Sequence, residues 1–123
     1  MDYVLYRSKH NIFQKAACMC HKIIIQIKIE LSIQPILYCH ICGQPILAKH
    51  KMSLDHYIPK CHGGTDDAEN LLPAHAICNS IKNDLMPDDF ERQKLDLYKM
   101  ALNKWHLKHK DKQIVETALK YMR

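Results

Sequence analysis

The sequence has no uninterrupted apolar run of the length that spans a membrane, although 47% of its 123 residues are hydrophobic. A helix that crosses a bilayer needs about 20 consecutive apolar residues. The first residues also lack the basic start, apolar centre and small-residue cleavage site of a secretory signal. We therefore expect no membrane partner, and a cytoplasmic protein in the reducing interior of the cell.

A reducing compartment argues against disulfide bonds, even though the chain contains six cysteines. Under those conditions cysteines are thiols or metal ligands. The chain is also short, since 123 residues amount to one domain with a thin hydrophobic core. A bound metal ion could therefore help to hold such a fold together.

The first 89 residues carry no net charge, because nine Lys and Arg residues balance nine Asp and Glu residues. Residues 90–123 hold nine basic against four acidic residues, which is the whole net charge of +5. Such a surplus attracts a polyanion in a sequence-independent, salt-sensitive way. The predicted contacts to nucleic acid are Lys104, Lys108, Lys110 and Lys112. A solvated helix face with ordinary lysine content is the alternative.

The middle of the chain predicts two short strands followed by a helix. The β-prone run 52–58 ends at Pro59, which cannot donate to a strand ladder. Gly63 and Gly64 permit the turn that must follow, and residues 70–72 form a short return strand. From Pro73 onward the apolar spacing becomes helical, with Pro73 suited to the first turn. The apolar residues at that spacing are Ala74, Ile77, Cys78 and Ile81.

The polar residues of this segment form a recognisable order. Asp55 and His56 are adjacent, Asn70 follows fourteen residues after the histidine, and Cys78-Asn79 precedes Lys82 by three positions. This order resembles the HNH endonuclease family and its ββα-metal fold, over roughly the middle third to half of the chain. Its last motif position is Asn79, as in the Asn-ended variant of the family. The resemblance implies an α+β protein that hydrolyses DNA phosphodiester bonds.

The resemblance and the chemistry of phosphodiester hydrolysis together imply a role for each motif residue. Asp55 and Asn79 offer oxygen ligands to a hard divalent ion, Mg²⁺ or Mn²⁺. His56 is the expected general base, because imidazole is mostly neutral at cell pH. Asn70 resembles the family residue that holds the loop and the catalytic histidine in position. Lys82 is expected to project from the helix toward a phosphate.

A second motif predicts a structural zinc ion. The Cys-x-x-Cys-Gly run at residues 39–43 is typical of half a zinc knuckle, because glycine lets both sulfurs face one ion. Cys78 and His75 are three residues apart and supply the other half, and Cys61 is the alternative fourth ligand. The favoured set is Cys39, Cys42, His75 and Cys78. Four protein ligands leave no open position, so this zinc would be structural.

The N-terminal flank contains two patterned segments. From Ser8 onward the apolar residues recur at helical spacing and predict a helix. Residues 25–34 alternate between apolar and polar, and β-branched residues dominate the apolar set, which predicts a strand. A helix that continues from Ser8 through this segment is the alternative. In both cases the apolar face belongs to the core.

The C-terminal segment predicts two helices. Pro87 and the acidic residues after it are typical of a helix start. A stripe from Phe90 to Trp105 predicts an amphipathic helix with Trp105 in the core. Asp111 is suited to cap the final helix. The apolar residues of that helix are Ile114, Val115, Ala118, Leu119 and Met122.

These observations predict one compact α+β domain in three parts. Residues 1–37 form a flank of helix and strand, residues 38–86 a ββα-metal core with a zinc knuckle, and residues 87–123 a basic helical segment. The function that the resemblance implies is divalent-metal-dependent cleavage of DNA. Two alternatives stay open: a zinc-stabilised nucleic-acid-binding module without catalysis, and a nuclease subunit that acts with other protein subunits.

Overall fold

The computed structural model describes residues 19–33 and 36–122, with side chains described from residue 25 onward. It confirms the predicted α+β class. The helices and strands are, in order, α1 (Met19–Ser32), β1 (Met52–His56), β2 (Leu71–His75), α2 (Ala76–Lys82), α3 (Pro87–Lys104) and α4 (His109–Tyr121). Two short 3₁₀ turns, Lys60–His62 and Ala68–Asn70, lie in the loop between the strands.

The strand expected for residues 25–34 is wrong, because this segment lies largely within α1. The alternative, a helix, is correct for the described part, whereas its expected start at Ser8 lies outside the described residues. Within residues 19–33 and 36–122 the sheet has only two strands, which pair with each other, and this segment joins neither free edge. A helix satisfies its backbone hydrogen bonds internally, so this segment adopts one despite its β-branched residues.

The strands β1 and β2 form an antiparallel hairpin in which Asp55 lies opposite Leu72 and His56 opposite Leu71. Pro73 pairs with Leu54 inside β2, so the helix start predicted at Pro73 is wrong. A two-stranded sheet has only edge strands, which tolerate a proline. The helix begins three residues later, at Ala76.

The remaining core lies between the hairpin and the C-terminal helices. α2 packs against β1, β2 and α3, and α3 packs against α4. The buried apolar residues of α4 are Ile114, Val115 and Ala118, as predicted. Trp105 was expected in the core, but it follows the last residue of α3 and is 41% exposed. Its position beyond the helix end removes it from the buried stripe.

No helix in residues 19–33 and 36–122 is long and apolar enough to cross a membrane.

Candidate functional site

A tight turn brings the two cysteines of the Cys-x-x-Cys motif together. Tyr38 and Pro45 form an isolated antiparallel bridge, and the Gly43 N–H donates to the Cys39 carbonyl over 2.8 Å. Gly43 has a φ of 79°, a left-handed conformation that L side chains rarely adopt. The glycine therefore closes the turn, and both Cys39 and Cys42 face the end of β2.

The predicted ligand set is brought together as one cluster. We call it the Cys/His cluster: Cys39, Cys42, His75 and Cys78. Its four ligand atoms all lie within 4.8 Å of one another. His75 Nδ1 is 3.4 Å from Cys42 Sγ and 3.8 Å from Cys78 Sγ. The alternative ligand Cys61 is exposed and lies outside the cluster. His75 itself ends β2 rather than lying on α2, so the strand–helix junction supplies the second ligand pair.

The surroundings of the cluster fit a bound cation. The Nε2–H of His75 donates to the Pro45 carbonyl over 3.0 Å, which leaves Nδ1 facing the sulfurs. Backbone N–H groups of Cys42 and His75 donate to Cys39 Sγ, over 3.5 and 3.4 Å. Cluster residues could therefore hold a zinc ion through three sulfurs and one imidazole nitrogen.

The protonation of the cluster supports the same interpretation. Hydrogen bonding from Cys42, and then from Cys78, lowers the pKa of Cys39 and favours its thiolate. Burial lowers the pKa of His75, but hydrogen bonds with Cys39 and Cys42 outweigh burial and raise it to about 10. Hydrogen bonds with Cys39 and Cys42, followed by burial, raise the pKa of Cys78, so the pocket favours thiolate at Cys39 and positive charge at His75. A dication would supply that charge directly.

Tyr98 of α3 adds a buried hydroxyl to the same region. Within the described part of the chain, its Oη is the only buried side-chain polar atom without a hydrogen-bond partner. Burial, followed by the negative charge of Cys78, raises the pKa of Tyr98. The Tyr98 hydroxyl makes no hydrogen bond to Cys78, but the two side chains interact electrostatically. A thiolate held at Cys78 by zinc would be a natural acceptor for this hydroxyl.

Three of the predicted catalytic residues line one cavity. Asp55 and His56 reach it from the end of β1, and Asn79 reaches it from α2. The cavity has a volume of about 270 Å³, and we call it the Asp55 cavity. The other lining residues are Pro59, Lys60, Cys61, Asn83 and Asp84. Packing of α2 across the hairpin therefore brings together residues that are 24 positions apart in the sequence.

Asp55 is held by two side chains, one of which sequence analysis missed. Asp55 is 2% exposed. Its Oδ2 is 2.8 Å from His40 Nε2, and its Oδ1 accepts a hydrogen bond from Lys82 Nζ over 3.2 Å. His40 is a spacer residue of the Cys-x-x-Cys motif, and no spacing rule connects it with an aspartate fifteen positions later. The knuckle thus contacts the Asp55 carboxylate directly.

Lys82 does not project outward, so that expectation is wrong. Its side chain is 2% exposed, and its ammonium also donates to the carbonyls of His56 and Tyr57, over 3.1 and 3.3 Å. A buried ammonium must have each of its donors satisfied. One carboxylate and two carbonyls do so here, and they fix Lys82 beneath the hairpin.

His56 contacts a second carboxylate that sequence analysis also missed. Its Nε2 is 2.8 Å from Asp66 Oδ1, and the other oxygen of Asp66 accepts a hydrogen bond from Lys60 over 3.0 Å. Hydrogen bonding from His56, and then from Lys60, lowers the pKa of Asp66. In the sequence, Asp66 has the character of a turn residue. Only the folded loop places it beside His56, so its contact with the histidine could not be predicted.

The loop that carries Asp66 is closed by Asn70. The buried Asn70 amide accepts a hydrogen bond from the Ile58 N–H over 2.8 Å and donates to the carbonyls of Ile58 and Thr65. Gly64 has no room for a side chain, since an added Cβ would lie 1.7 Å from the Ile58 carbonyl oxygen. These contacts hold the chain directly after His56 in one conformation.

The predicted lysines of the C-terminal segment separate into two pairs. Lys108 and Lys110 line a cavity of about 440 Å³, together with Lys49 and Lys51. Lys104, at the end of α3, and Lys112, within α4, are exposed but do not line it. We call this cavity the basic cleft; its other lining residues are His50, Ala76, His109, Asp111 and Ile114.

The comparisons with known proteins agree with the motif. A family model described as HNH endonuclease matches residues 39–85, from the first ligand of the Cys/His cluster to just beyond α2. This match confirms the resemblance for that segment and indicates nuclease activity in general. No curated protein and no solved structure matches the chain.

Proposed function

Because residues 39–85 match the HNH endonuclease family, we propose that this protein hydrolyses DNA phosphodiester bonds with a divalent metal ion and a histidine base. One observation carries the proposal: Asp55, His56 and Asn79 line the same cavity. A carboxylate, an imidazole and an amide in one polar cavity provide the metal ligands and the base that this hydrolysis needs.

The residues of the Asp55 cavity fit a hard divalent ion, Mg²⁺ or Mn²⁺. Each oxygen of Asp55 accepts one contact and keeps a further lone pair. The Nδ2 of Asn79 donates to Ser53 Oγ over 2.8 Å, which leaves its Oδ1 as the ligand atom. Oxygen ligands of this kind suit Mg²⁺ and Mn²⁺. When bound, the ion supplies positive charge to the phosphate oxygens and the leaving group.

His56 would accept a proton from the attacking water. Its Nε2–H donates to Asp66, so Nδ1 is the nitrogen that can accept the proton. The negative charge of Asp66 then stabilises the imidazolium that forms. Lys60 donates a hydrogen bond to Oδ2 of Asp66, the oxygen that His56 does not contact. Asn70 holds the loop on which Asp66 lies. Base, orienting carboxylate and loop form one connected unit.

His40 and Lys82 are positioning residues for Asp55. His40 lies between two ligands of the Cys/His cluster, so a zinc ion there would fix its backbone. Lys82 lies at the end of α2 and binds Asp55 from the other side. The structural zinc would therefore act on catalysis indirectly, by holding the residue that orients the carboxylate.

A second function is favoured by one specific contact pattern. Both oxygens of Asp55 already have cationic or hydrogen-bonding partners, which would also suit a carboxylate that only stabilises the fold. In that case the protein is a zinc-stabilised nucleic-acid-binding module without catalysis. A nuclease that acts with other protein subunits is the remaining variant of the first proposal.

Plasmid nicking separates these functions. Purified, zinc-loaded protein should nick supercoiled DNA when Mg²⁺ or Mn²⁺ is added, and His56→Ala should reduce nicking by at least about 10²-fold because the base is lost. His62→Ala is the matched control, since His62 is an exposed histidine of the same loop that does not line the Asp55 cavity. Equal nicking by both variants would remove the mechanism, and DNA binding without any nicking would favour the binding module.

A further inference from the structure

We propose that the basic cleft binds the DNA backbone within about four nucleotides of the phosphate that is cut. This proposal rests on the proposed function for the identity of its ligand. The residues that would hold the phosphates are Lys49, Lys51, Lys108 and Lys110. They come from two segments that are distant in sequence, one inside and one outside the part that matches the HNH family.

The charges of the cleft are arranged for an anion. Four lysines line it against a single acidic residue, Asp111. Across residues 19–33 and 36–122, none of these four ammonium groups makes an ion pair, whereas Lys60 and Lys82 are both paired with carboxylates. Unpaired cations that converge on one cavity attract phosphates and release counterions from DNA on binding.

The distance between the cleft and the Asp55 cavity follows from strand β1. Lys51 directly precedes β1, and Asp55 lies four residues further along it. A strand rises about 3.3 Å per residue, so the two positions are about 13 Å apart. One DNA strand advances about 3.4 Å per nucleotide along the helix axis and also winds around that axis, so this separation corresponds to no more than about four nucleotides.

Helix α2 shows that the two cavities lie on one side of the molecule. Ala76 lines the basic cleft, whereas Asn79 and Asn83 line the Asp55 cavity. Positions three and four apart lie on the same face of a helix, and Asn83 directly follows α2. The Ala76 N–H also donates to the Lys51 carbonyl over 2.9 Å, which ties the cleft to the start of β1. A DNA strand along this face would reach both cavities.

The salt dependence of DNA binding tests whether the position of the cleft lysines matters, and not only the amount of positive charge. The test variant replaces all four cleft lysines with glutamine, in a His56→Ala background so that the DNA stays intact. The control in the same background removes equal charge from exposed lysines outside the cleft: Lys99→Gln, Lys104→Gln, Lys112→Gln and Lys120→Gln. Binding to a labelled duplex is followed by fluorescence anisotropy over a range of salt concentrations.

The expected result is a lower salt slope in the cleft variant alone. Each lost phosphate contact lowers the log–log slope by about 0.9, so four contacts lower it by about 3 to 4, whereas the control should change it by less than about 1. Equal changes of the salt slope in both variants would contradict DNA binding at the basic cleft. Zinc content and the circular dichroism spectrum should match in both variants, because all eight lysines are exposed.

Neutral phosphates locate the contact along the DNA. Once the nick has been mapped, single methylphosphonate linkages are placed at each position up to about four nucleotides from it. At one or more of these positions the linkage should weaken binding of the parent protein and should not weaken the cleft variant further. Equal weakening of both proteins contradicts the proposed position.

Nicking and binding together separate the two proposals. A reduced slope without any nicking by the wild-type protein supports the cleft and removes catalysis. Nicking with equal slopes supports catalysis and overturns the cleft, and a wild-type protein that does not bind DNA overturns both.

Discussion

The Cys/His cluster and the Asp55 cavity use the same strand–helix junction in opposite ways. His75 and Cys78, at the junction of β2 and α2, face the knuckle, and the adjacent Asn79 lines the cavity. Three of the four cluster residues are buried, and the four ligand atoms lie within 4.8 Å of one another. Asp55, His56 and Asn79 instead have protein partners and border a polar cavity. A closed ligand set stabilises a fold, and an open one leaves room for water and substrate.

The largest expected effect, on zinc binding and stability, comes from removing one ligand of the Cys/His cluster. Cys39→Ser or Cys78→Ser should release zinc and unfold the protein, because the binding free energy of a structural zinc is on the order of 10 kcal/mol or more and is spent on folding. Cys61→Ser should retain both zinc and fold, since Cys61 is outside the cluster. Zinc content and thermal unfolding by circular dichroism measure this. Loss of zinc in Cys61→Ser with retention in His75→Ala would contradict the ligand assignment.

The next effect concerns the buried ion pair beside the Asp55 cavity. Lys82→Met should lower the free energy of unfolding by about 3 to 5 kcal/mol, because it leaves the buried Asp55 without one of its charge partners. Lys60→Met is the control: its pair with Asp66 is more exposed, and such a pair contributes about 0 to 1 kcal/mol. Urea unfolding of both variants gives the comparison. Similar losses would mean that Lys82 is not held as described.

His40 tests the connection between the two regions. His40→Ala should retain zinc but weaken Mn²⁺-dependent nicking by about 10- to 100-fold, because loss of an orienting partner disturbs a metal ligand by that amount. His40→Gln, which keeps a hydrogen-bond donor, should recover part of the loss. Nicking at increasing Mn²⁺ concentration measures the metal requirement. Full activity of His40→Ala would separate the knuckle from the Asp55 cavity.

The smallest effect is expected at the orienting carboxylate. Asp66→Asn should change stability by less than about 1 kcal/mol, since its contacts are partly exposed. It should still slow nicking, by less than the roughly 10²-fold expected from loss of the base itself. Single-turnover nicking at saturating DNA isolates this step. An unchanged rate would mean that Asp66 does not orient His56.

The parts of the fold that were predicted correctly depend on local chemistry. In the Cys-x-x-Cys-Gly run, and in the three-residue step from His75 to Cys78, the short spacing determines how the ligands lie relative to each other. The periodicity of Ile114, Val115 and Ala118 predicts α4 directly. The prediction for residues 25–34 failed because strand propensity depends on packing context, and this segment lies largely in α1 and its described residues do not join the hairpin.

The partners of the proposed catalytic residues could not be predicted from spacing. His40 and Asp66 meet Asp55 and His56 through the folding of two loops, and neither pair has a fixed offset in sequence. Lys82 was expected to project toward a phosphate, but here one carboxylate and two carbonyls satisfy its ammonium group in the interior. The basic cleft likewise joins residues 49–51 to residues 108–110 only after α4 has packed.

The most direct test of the contrast between the two regions is a crystal structure of the zinc-loaded protein soaked with Mn²⁺. Anomalous scattering at the edges of the two metals distinguishes the ions. We predict zinc in the Cys/His cluster, and a manganese ion with Asp55 and Asn79 among its ligands. Zinc in the cluster with no manganese in the Asp55 cavity would contradict the account of a metal-dependent nuclease.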